Sequence, residues 1–498
     1  MRFYFILNIP VTNADGIYYS WIGLNLVEGY GFSIAEGESL FTIGNVRMPL
    51  FPLTLSLFYK VLGTGFIVSK IPSLIFGLLI IPLVYLIAEQ IFDREAAILA
   101  ALLISFNPLL SFYSTEIMSE GIYTFFLMLF LYFLISNKDA KYAKMAGVIA
   151  GLSYLMKMTG MGLALVGIVY YAFVLRKKFV RHSLEFLIVF ILLSFPWLLW
   201  CNYEYGTLFV PEKSTASYQY ELEYGEEPST KLGMATYLLD YHTTRELYSG
   251  FKDGAKKLTK SLLTNSFFGY SGVLEQEETT GRLKAISRYL ILLGLVPFLI
   301  GVIVEKRMGR GIDVAFGGII FLGLIAPAWQ MHVISWPEER YVVPLLSITL
   351  IYLAGGLSRI YHWRRPLAII FALGFMASFL HTSFGLIAIE HANTKIGYYY
   401  ASSDIDLPKD SVIIASNTEK VRDLGYSKVY PLSDRNFDGI LELAKKIGAE
   451  YLIIDSSSIS NQDQILLVTH WYSKKVPKEF LRIGGRRYKP TSYKIRFS

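Results

Sequence analysis

Residues Ser69 to Leu134 read SKIPSLIFGLLIIPLVYLIAEQIFDREAAILAALLISFNPLLSFYSTEIMSEGIYTFFLMLFLYFL. It contains three apolar segments, each close to the length of about 20 residues that a helix needs to cross a bilayer. A short charged turn, FDRE, separates the first two segments, and a loop with two glutamates separates the second from the third. This pattern predicts an all-α polytopic membrane protein.

The composition of the chain agrees with a membrane protein. Of its 498 residues, 53% are hydrophobic and only 17% are charged, whereas soluble proteins carry roughly 25% charged residues. The single cysteine, Cys201, excludes a disulfide framework and a cysteine-based metal site. The net charge of +7 does not predict nucleic-acid binding, because the basic clusters lie in short gaps between apolar segments.

Ten apolar segments are candidates for membrane spans. They lie near 68–91, 95–113, 119–136, 144–158, 160–175, 183–200, 286–304, 313–331, 341–358 and 366–388. The Lys/Arg excess is carried by alternate gaps, NKDAKYAK, RKKFVRH, EKRMGRG and SRIYHWRRP. These gaps share one side if the segments alternate, and the positive-inside rule makes that side cytoplasmic. We therefore expect a multi-pass protein of the cell membrane, surrounded by membrane lipids.

The opposite, extracytoplasmic side receives the longer loops. They are the first outer loop (12–65), the loop YSTEIMSEG and the large outer loop (201–285). After a transmembrane domain over 1–388, the tail 389–498 contains short apolar runs, DSVIIAS and AEYLIID, with a helical pattern between them. It predicts a small extracytoplasmic α/β domain.

The first outer loop reads as a pair of surface helices. Residues 17–28 place Ile17, Trp21, Leu24 and Val27 at roughly 3.6 spacing, which predicts an amphipathic helix too polar to span. Tyr18, Tyr19 and Trp21 are expected in an interfacial belt, and a second surface helix is expected over 48–63. The preceding MRFYFILNIPV looks like the last half of a spanning helix whose beginning is absent.

Ionisable residues recur at the outer rim. Three outer loops carry them: Asp15 in the first, Glu116 and Glu120 in the second, and Glu338, Glu339 and Arg340 in the third. Charges at membrane depth are costly and tend to be functional. The alternative at the second loop is a capped helix end with solvated acids, in which Ser119 caps the helix and Glu120 occupies its first turn.

The ordered set of these pieces resembles the GT-C superfamily of integral-membrane glycosyltransferases, in particular the branch with the protein O-mannosyltransferases and the lipid A aminoarabinose transferases. The matching pieces are ADGIYY, RMPLFPLTLSLFYKVLG, the opening stretch, AGVIAGLSYLMKMTG and EERYVVPLLSITLIYLAG, across about residues 12–360. The resemblance implies inverting transfer of a sugar from a polyprenyl- or dolichyl-phosphate carrier to an acceptor hydroxyl at the outer membrane face. The acceptor, whether protein, lipid or glycan, stays open.

The resemblance also implies the catalytic acid. Family members carry an acid of the first outer loop at the catalytic centre, which here is Asp15, as general base. A hydroxyl is a weak nucleophile until a positioned carboxylate takes its proton. The family usually has Asp-Glu at this point, but Gly16 follows Asp15 here. A second carboxylate would then come from Glu120, with Glu116 as the next candidate.

Four residues are expected to bind the donor phosphate. Arg47 precedes the second surface helix, Arg340 and Tyr341 match an Arg-Tyr pair of the family, and Lys157 lies near an outer helix end. Guanidinium groups suit phosphate oxygens because they bind them bidentately. The alternative for each cation is snorkelling to the interface.

A metal ion is an open question at this stage. Asp15, Glu116 and Glu120 offer oxygen ligands of the kind that a divalent cation prefers, and the resemblance covers enzymes with and without a metal. No other cofactor is expected.

Two other functions compete with an enzyme. A polytopic transporter would place ionisable residues near the bilayer midplane, often in repeated halves, whereas here the acids cluster at one rim and no repeat is evident. A non-catalytic scaffold or receptor with a soluble sensing tail would leave Asp15 replaceable.

Overall fold

The computed structural model of the chain describes the following residues: 2–8, 14–29, 31–32, 47–64, 66–136, 142–175, 178–205, 208, 240, 243–270, 274, 281–305, 315–320, 323, 339–402, 407–408, 410–416, 421, 426–432, 436–454, 479–484 and 491–495.

Helices dominate the chain up to residue 402. In chain order they are α1 (Arg2–Asn8), α2 (Ala14–Glu28), α3 (Leu50–Leu62), α4 (Phe66–Ile91), α5 (Arg94–Phe106), α6 (Pro108–Tyr113), α7 (Ser119–Ile135), α8 (Ala143–Met156), α9 (Gly162–Leu175), α10 (Phe179–Tyr205), α11 (Thr244–Phe267), α12 (Gly281–Glu305), α13 (Val343–Trp363) and α14 (Arg365–Ser402). Short 3-10 turns occupy Met158–Met161 and Glu339–Tyr341.

The predicted membrane fold is confirmed. Within the described ranges, five helices are long and apolar enough to cross a bilayer: α4, α10, α12, α13 and α14. The helices α7, α8 and α9 are shorter and also apolar. The predicted span 313–331 lies mostly outside the described residues. Within it, residues 315–320 are described and are helical.

One predicted span is wrong as a single segment. The helix expected over 95–113 is broken at Asn107 into α5 and α6. Asn107 caps α6, because its side chain accepts a hydrogen bond from the Leu110 amide at 3.1 Å. Pro108 has no N–H to continue the α5 ladder, and it suits the first position of a new helix.

The centre of the bundle is α13. Residues 343–358 are all buried, and α13 contacts α5, α7, α12 and α14. Its contact with α12 is backbone to backbone: a Cβ added to Gly356 would lie 1.6 Å from the Pro297 carbonyl oxygen. Small residues allow such close approach between helices in a membrane.

The tail contains a five-stranded mixed sheet. Its strands are β1 (Ile413–Ala415), β2 (Val429–Pro431), β3 (Tyr451–Ile454), β4 (Phe480–Gly484) and β5 (Thr491–Ile495), in the order β2-β1-β3-β5-β4. Strand β1 pairs in parallel with β2 and β3, and strand β5 pairs antiparallel with β3 and β4. Helix α15 (Phe437–Ile447) is capped by Asn436 and ends at Gly448, whose φ of 69° is left-handed. The predicted α/β character of the tail is thus confirmed.

The sheet packs against the start of the chain. Its core cluster includes Ile22 of α2, with Phe32 and Trp200 packed on it. Helix α14 continues to Ser402, past the residue where the tail domain is predicted to begin. The division into domains at residues 388 and 389 stays a prediction.

The two helices of the first outer loop are present as α2 and α3. The face predicted for α2 is only partly right: Leu24 is buried, but Val27 is exposed. Tyr19 does not belong to an interfacial belt, since it is 8% exposed and packs edge-on against Phe51. The side chains of Tyr18 and Trp21 lie outside the described residues.

Candidate active site

Asp15 lies in the first turn of α2, where the helix N-terminus favours a carboxylate. One carboxylate oxygen accepts a hydrogen bond from Arg47, just before α3, and the other accepts one from Arg340 at 2.5 Å. Arg340 lies in the 3-10 turn before α13, 325 positions along the chain from Asp15. The fold therefore joins three of the predicted site residues in one ion-pair group.

The two arginines control the ionisation of Asp15. Burial raises the pKa of this carboxyl group, but the charges and hydrogen bonds of Arg47 and Arg340 outweigh burial and lower the pKa to about 2. Asp15 is therefore ionised throughout the physiological pH range. As long as both guanidinium groups hold it, this carboxylate is a poor proton acceptor.

A second ion pair joins Glu120 and Lys157. Lys157, the residue after α8, donates a hydrogen bond of 2.8 Å to Glu120 Oε1. Glu120 lies in the first turn of α7, as predicted, and is 2% exposed. The prediction that Ser119 caps this helix is wrong, because the helix begins at Ser119 and the residue before it makes no side-chain cap. Glu120 Oε2 is buried and has no hydrogen-bond partner in the described ranges.

Tyr341 lies between the two ion-pair groups. Its ring centre is 5.5 Å from Lys157 Nζ and 5.5 Å from Arg340 Cζ, within the range of cation–π contacts. We call the continuous group the charged cluster; it comprises Asp15, Arg47, Glu120, Lys157, Arg340 and Tyr341. Two carboxylates and three cations give this cluster a net charge of +1.

Tyr19 lies at the site, although the sequence predicts it in an interfacial belt. Its ring lies 5.9 Å from Arg47 Cζ, and its phenol interacts with Ser119. Burial, together with the charges of Asp15 and Glu120, outweighs the opposing effect of Arg47 and raises the pKa of the Tyr19 phenol to about 12. The phenol is therefore neutral and keeps its proton. Its position four residues after Asp15 on one helix was the available signal.

Glu116 is the predicted site residue that pairs outside the charged cluster. It accepts a hydrogen bond of 3.1 Å from Lys70 on α4, and both side chains are buried. Lys70 was not among the predicted site residues. A lysine in the first turn of an apolar span was the signal that could have found it.

The three carboxylates that were considered as ligands of a possible divalent cation do not lie together in the described part of the chain. In the described part of the chain, one group of three Asp, Glu or His side chains has its ligand atoms within 4.8 Å of one another, and it consists of Asp93, Glu95 and His362. The predicted trio of carboxylates forms no such group there. Each of those carboxylates already pairs with a lysine or with arginines. The net positive charge of the cluster suits an anion.

An apolar cavity begins beside the cluster. It has a volume of about 40 Å³ and is lined by Lys157, Tyr341, Leu127, Leu163, Ile319 and Leu345, among others. One wall is cationic and aromatic, and the remainder is mostly aliphatic. This lining suits an apolar group whose anionic end lies near Lys157.

Solved structures of three membrane proteins resemble the chain. The oligosaccharyltransferase of Archaeoglobus fulgidus, in complex with zinc and sulfate, is 14% identical with a TM-score of 0.48, over 96% of this chain and 69% of that one. ArnT of Cupriavidus metallidurans bound to undecaprenyl phosphate is 12% identical with a TM-score of 0.38, over 98% and 95%. The arabinofuranosyltransferase AftD from Mycobacteria is 13% identical with a TM-score of 0.26, over 90% and 35%. At these values no residue or activity transfers to this chain.

Part of the chain also matches the sequence model of a protein family. No curated protein sequence matches the chain. Residues 46–200 match the sequence model of the dolichyl-phosphate-mannose-protein mannosyltransferases, a region that includes Arg47, Glu120 and Lys157. The match confirms the resemblance predicted from the sequence: over residues 46–200 the chain carries the pattern of a mannosyltransferase family within the GT-C superfamily of membrane glycosyltransferases.

Proposed function

We propose that this protein transfers a sugar from a polyprenyl-phosphate carrier to an acceptor hydroxyl, with inversion at the anomeric carbon and Asp15 as the general base. The observation that carries the proposal is the charged cluster beside the apolar cavity. Three cations surround two carboxylates, and the lining of the neighbouring cavity is mostly aliphatic. A lipid that ends in a phosphate matches both features.

The arrangement of the cations supports one position for the donor phosphate. Arg47 and Arg340 approach Asp15 from two sides, and Lys157 is linked to Arg340 through the Tyr341 ring. A phosphate that enters this group gains charge-assisted hydrogen bonds from planar guanidinium donors. The isoprenoid chain then continues from Lys157 into the cavity.

Donor binding also activates the base. In the free protein the arginines lower the pKa of Asp15 to about 2. A donor phosphate competes for the same guanidinium groups, so it weakens their hold on the carboxylate while the raising effect of burial remains. The pKa of Asp15 therefore rises when the donor is bound. The base becomes effective only once a donor is bound.

The reaction then balances with one base. The acceptor hydroxyl gives its proton to Asp15 as its oxygen forms a bond to the anomeric carbon. The bond between that carbon and the phosphate oxygen breaks, and polyprenyl phosphate leaves with the electron pair, held by the arginines. A phosphate leaving group needs no protonation, so one carboxylate suffices where glycosidases use two. Glu120 holds Lys157 in place.

The side of the membrane follows from the distribution of basic residues. The Lys/Arg-rich gaps lie at the end of the predicted spans opposite to Asp15 and Glu120, so the cluster and the sheet domain face the extracytoplasmic side. There the acceptor hydroxyl belongs to a protein, a lipid or a surface glycan.

Two experiments test the proposal. Purified protein is incubated with a panel of polyprenyl- and dolichyl-phosphate sugars and acceptors, and donor consumption is followed by mass spectrometry. Surface glycans of a deletion strain are compared with those of the parent strain. We expect consumption of one donor class and loss of the matching sugar from one acceptor. An intact donor panel together with unchanged glycans would contradict the proposal.

A further inference from the structure

A buried ion pair outside the charged cluster has no part in the steps above. Lys70 Nζ lies 3.1 Å from Glu116 Oε1, and the two side chains are 0% and 2% exposed. Removing both charges from water is expensive, and an apolar pair of similar size often gives equal or greater stability. The more specific role of such a pair is to select one arrangement of the segments that it joins.

The segments joined here are α4 and the loop 114–118. Three positions on one face of α4 hold this loop: Lys70 pairs with Glu116, Ser73 donates a hydrogen bond of 3.2 Å to the Met118 carbonyl oxygen, and Gly77 packs against Ser114. Positions 70, 73 and 77 follow the three- and four-residue spacing of one helix face.

The close contact at Gly77 fixes the position of the loop 114–118 along α4. A Cβ added to Gly77 would lie 2.3 Å from Ser114 Cβ, so the loop rests directly on the α4 backbone. The Lys70 pair fixes the loop at one point, the Ser73 hydrogen bond at a second and the Gly77 contact at a third.

This loop leads directly into the site. Helix α7 begins at Ser119, one residue after the loop, and Glu120 is in its first turn. The helix has no side-chain N-cap, so its first turn depends on the preceding loop for its position. A shift of the loop is passed to Glu120 and through it to Lys157, whose contact with Glu120 is 2.8 Å.

We infer that Lys70 and Glu116 are positioning residues, whose buried ion pair holds the loop 114–118 on α4 and thereby sets the place of Glu120 and Lys157. The inference rests on the proposed function only in that Lys157 then serves donor binding. Glu116 is accordingly a structural partner of Lys70 and takes no proton in the reaction.

The test uses variants that avoid an unpaired buried charge. In the full-length protein, Lys70→Met combined with Glu116→Leu removes the ion pair and keeps apolar bulk, whereas Lys70→Arg keeps the pair. Tyr170→Phe is the matched control, because it removes a buried hydrogen bond of 2.6 Å to the Leu134 carbonyl oxygen at the other end of α7. The two readouts are backbone hydrogen exchange over residues 113–121 and the kcat and KM for the donor.

We expect the double variant to exchange faster over 113–121 and to lose about tenfold to a hundredfold in kcat/KM, since a misplacement of 1 Å can cost about a hundredfold. Lys70→Arg and Tyr170→Phe should resemble the native protein in both readouts. Unchanged exchange in the double variant would overturn the inference, and so would faster exchange with native kinetics. If the native protein transfers no sugar, the proposed function fails, while hydrogen exchange still decides whether the pair holds the loop.

Discussion

Replacement of Asp15 by asparagine distinguishes the role of this carboxylate as proton acceptor from its contribution to the charge of the site. Asp15→Asn keeps the shape of the side chain and one oxygen that accepts a hydrogen bond from an arginine, but it removes the proton acceptor. It also raises the net charge of the cluster from +1 to +2. The variant should therefore still bind an anionic donor lipid and fail to transfer its sugar.

The loss of stability and the loss of turnover in Asp15→Asn can both be given a size. The pKa of Asp15 falls from its ordinary value of 3.8 to about 2, and about 1.4 kcal/mol per pKa unit makes ionised Asp15 worth about 2 kcal/mol to the fold. Because the folded-state pKa is the lower one, this stability is present above pH 3.8 and is lost as the pH falls towards 2. Loss of a general base lowers turnover about 10²- to 10⁴-fold, or about 3–5 kcal/mol of barrier. The loss of activity should thus exceed the loss of stability.

The assay measures turnover and donor binding on the same purified sample. Turnover is followed by release of polyprenyl phosphate, binding by native mass spectrometry, and folding by thermal unfolding. Asp253→Asn is the matched control, since Asp253 is an exposed aspartate in α11. A folded Asp15→Asn protein with turnover within a few-fold of the native value would refute the assignment of Asp15 as base.

Three further predictions concern the cations and the packing. Arg47→Gln removes one of the groups that lower the pKa of Asp15, so the acid limb of the kcat/KM profile should move upward in pH; an unmoved limb would contradict this account. Lys157→Met leaves a buried carboxylate unpaired, which should cost about 3–5 kcal/mol of unfolding free energy and raise the donor KM; a native melting temperature would count against it. Gly356→Ala forces α13 away from α12 and should prevent stable folding, whereas Gly374→Ala, which meets nothing within 4 Å, should be neutral or stabilising by thermal unfolding.

Much of the site was predictable because the ordered pieces of the sequence resemble a family. Asp15 was predicted as the general base and Arg47 and Arg340 as ligands of the donor phosphate, and the fold brings the three into one ion-pair group across 325 positions of chain. The pairing itself was not predictable from one sequence. Which cation meets which carboxylate depends on helix packing, and in the primary structure Glu116 and Glu120 look alike.

The predictions that were wrong have identifiable physical causes. Tyr19 reads as an interfacial aromatic on composition, but the packing of α2 against α3 buries it beside Phe51. The segment 95–113 reads as one span on hydropathy, whereas Asn107 supplies a cap and the following proline ends the α5 ladder. Lys70 was not singled out, because its partner Glu116 lies 46 positions away on the second loop.

Sugar transfer from the lipid phosphate can be followed by a ³¹P NMR time course of a polyprenyl-phosphate sugar with the native protein and its acceptor. We predict that the phosphodiester signal of the donor is replaced by the phosphomonoester signal of free polyprenyl phosphate. This change should require acceptor and should be abolished by Asp15→Asn. A donor signal that persists with every acceptor class, or that decays equally in the Asp15→Asn variant, would contradict it.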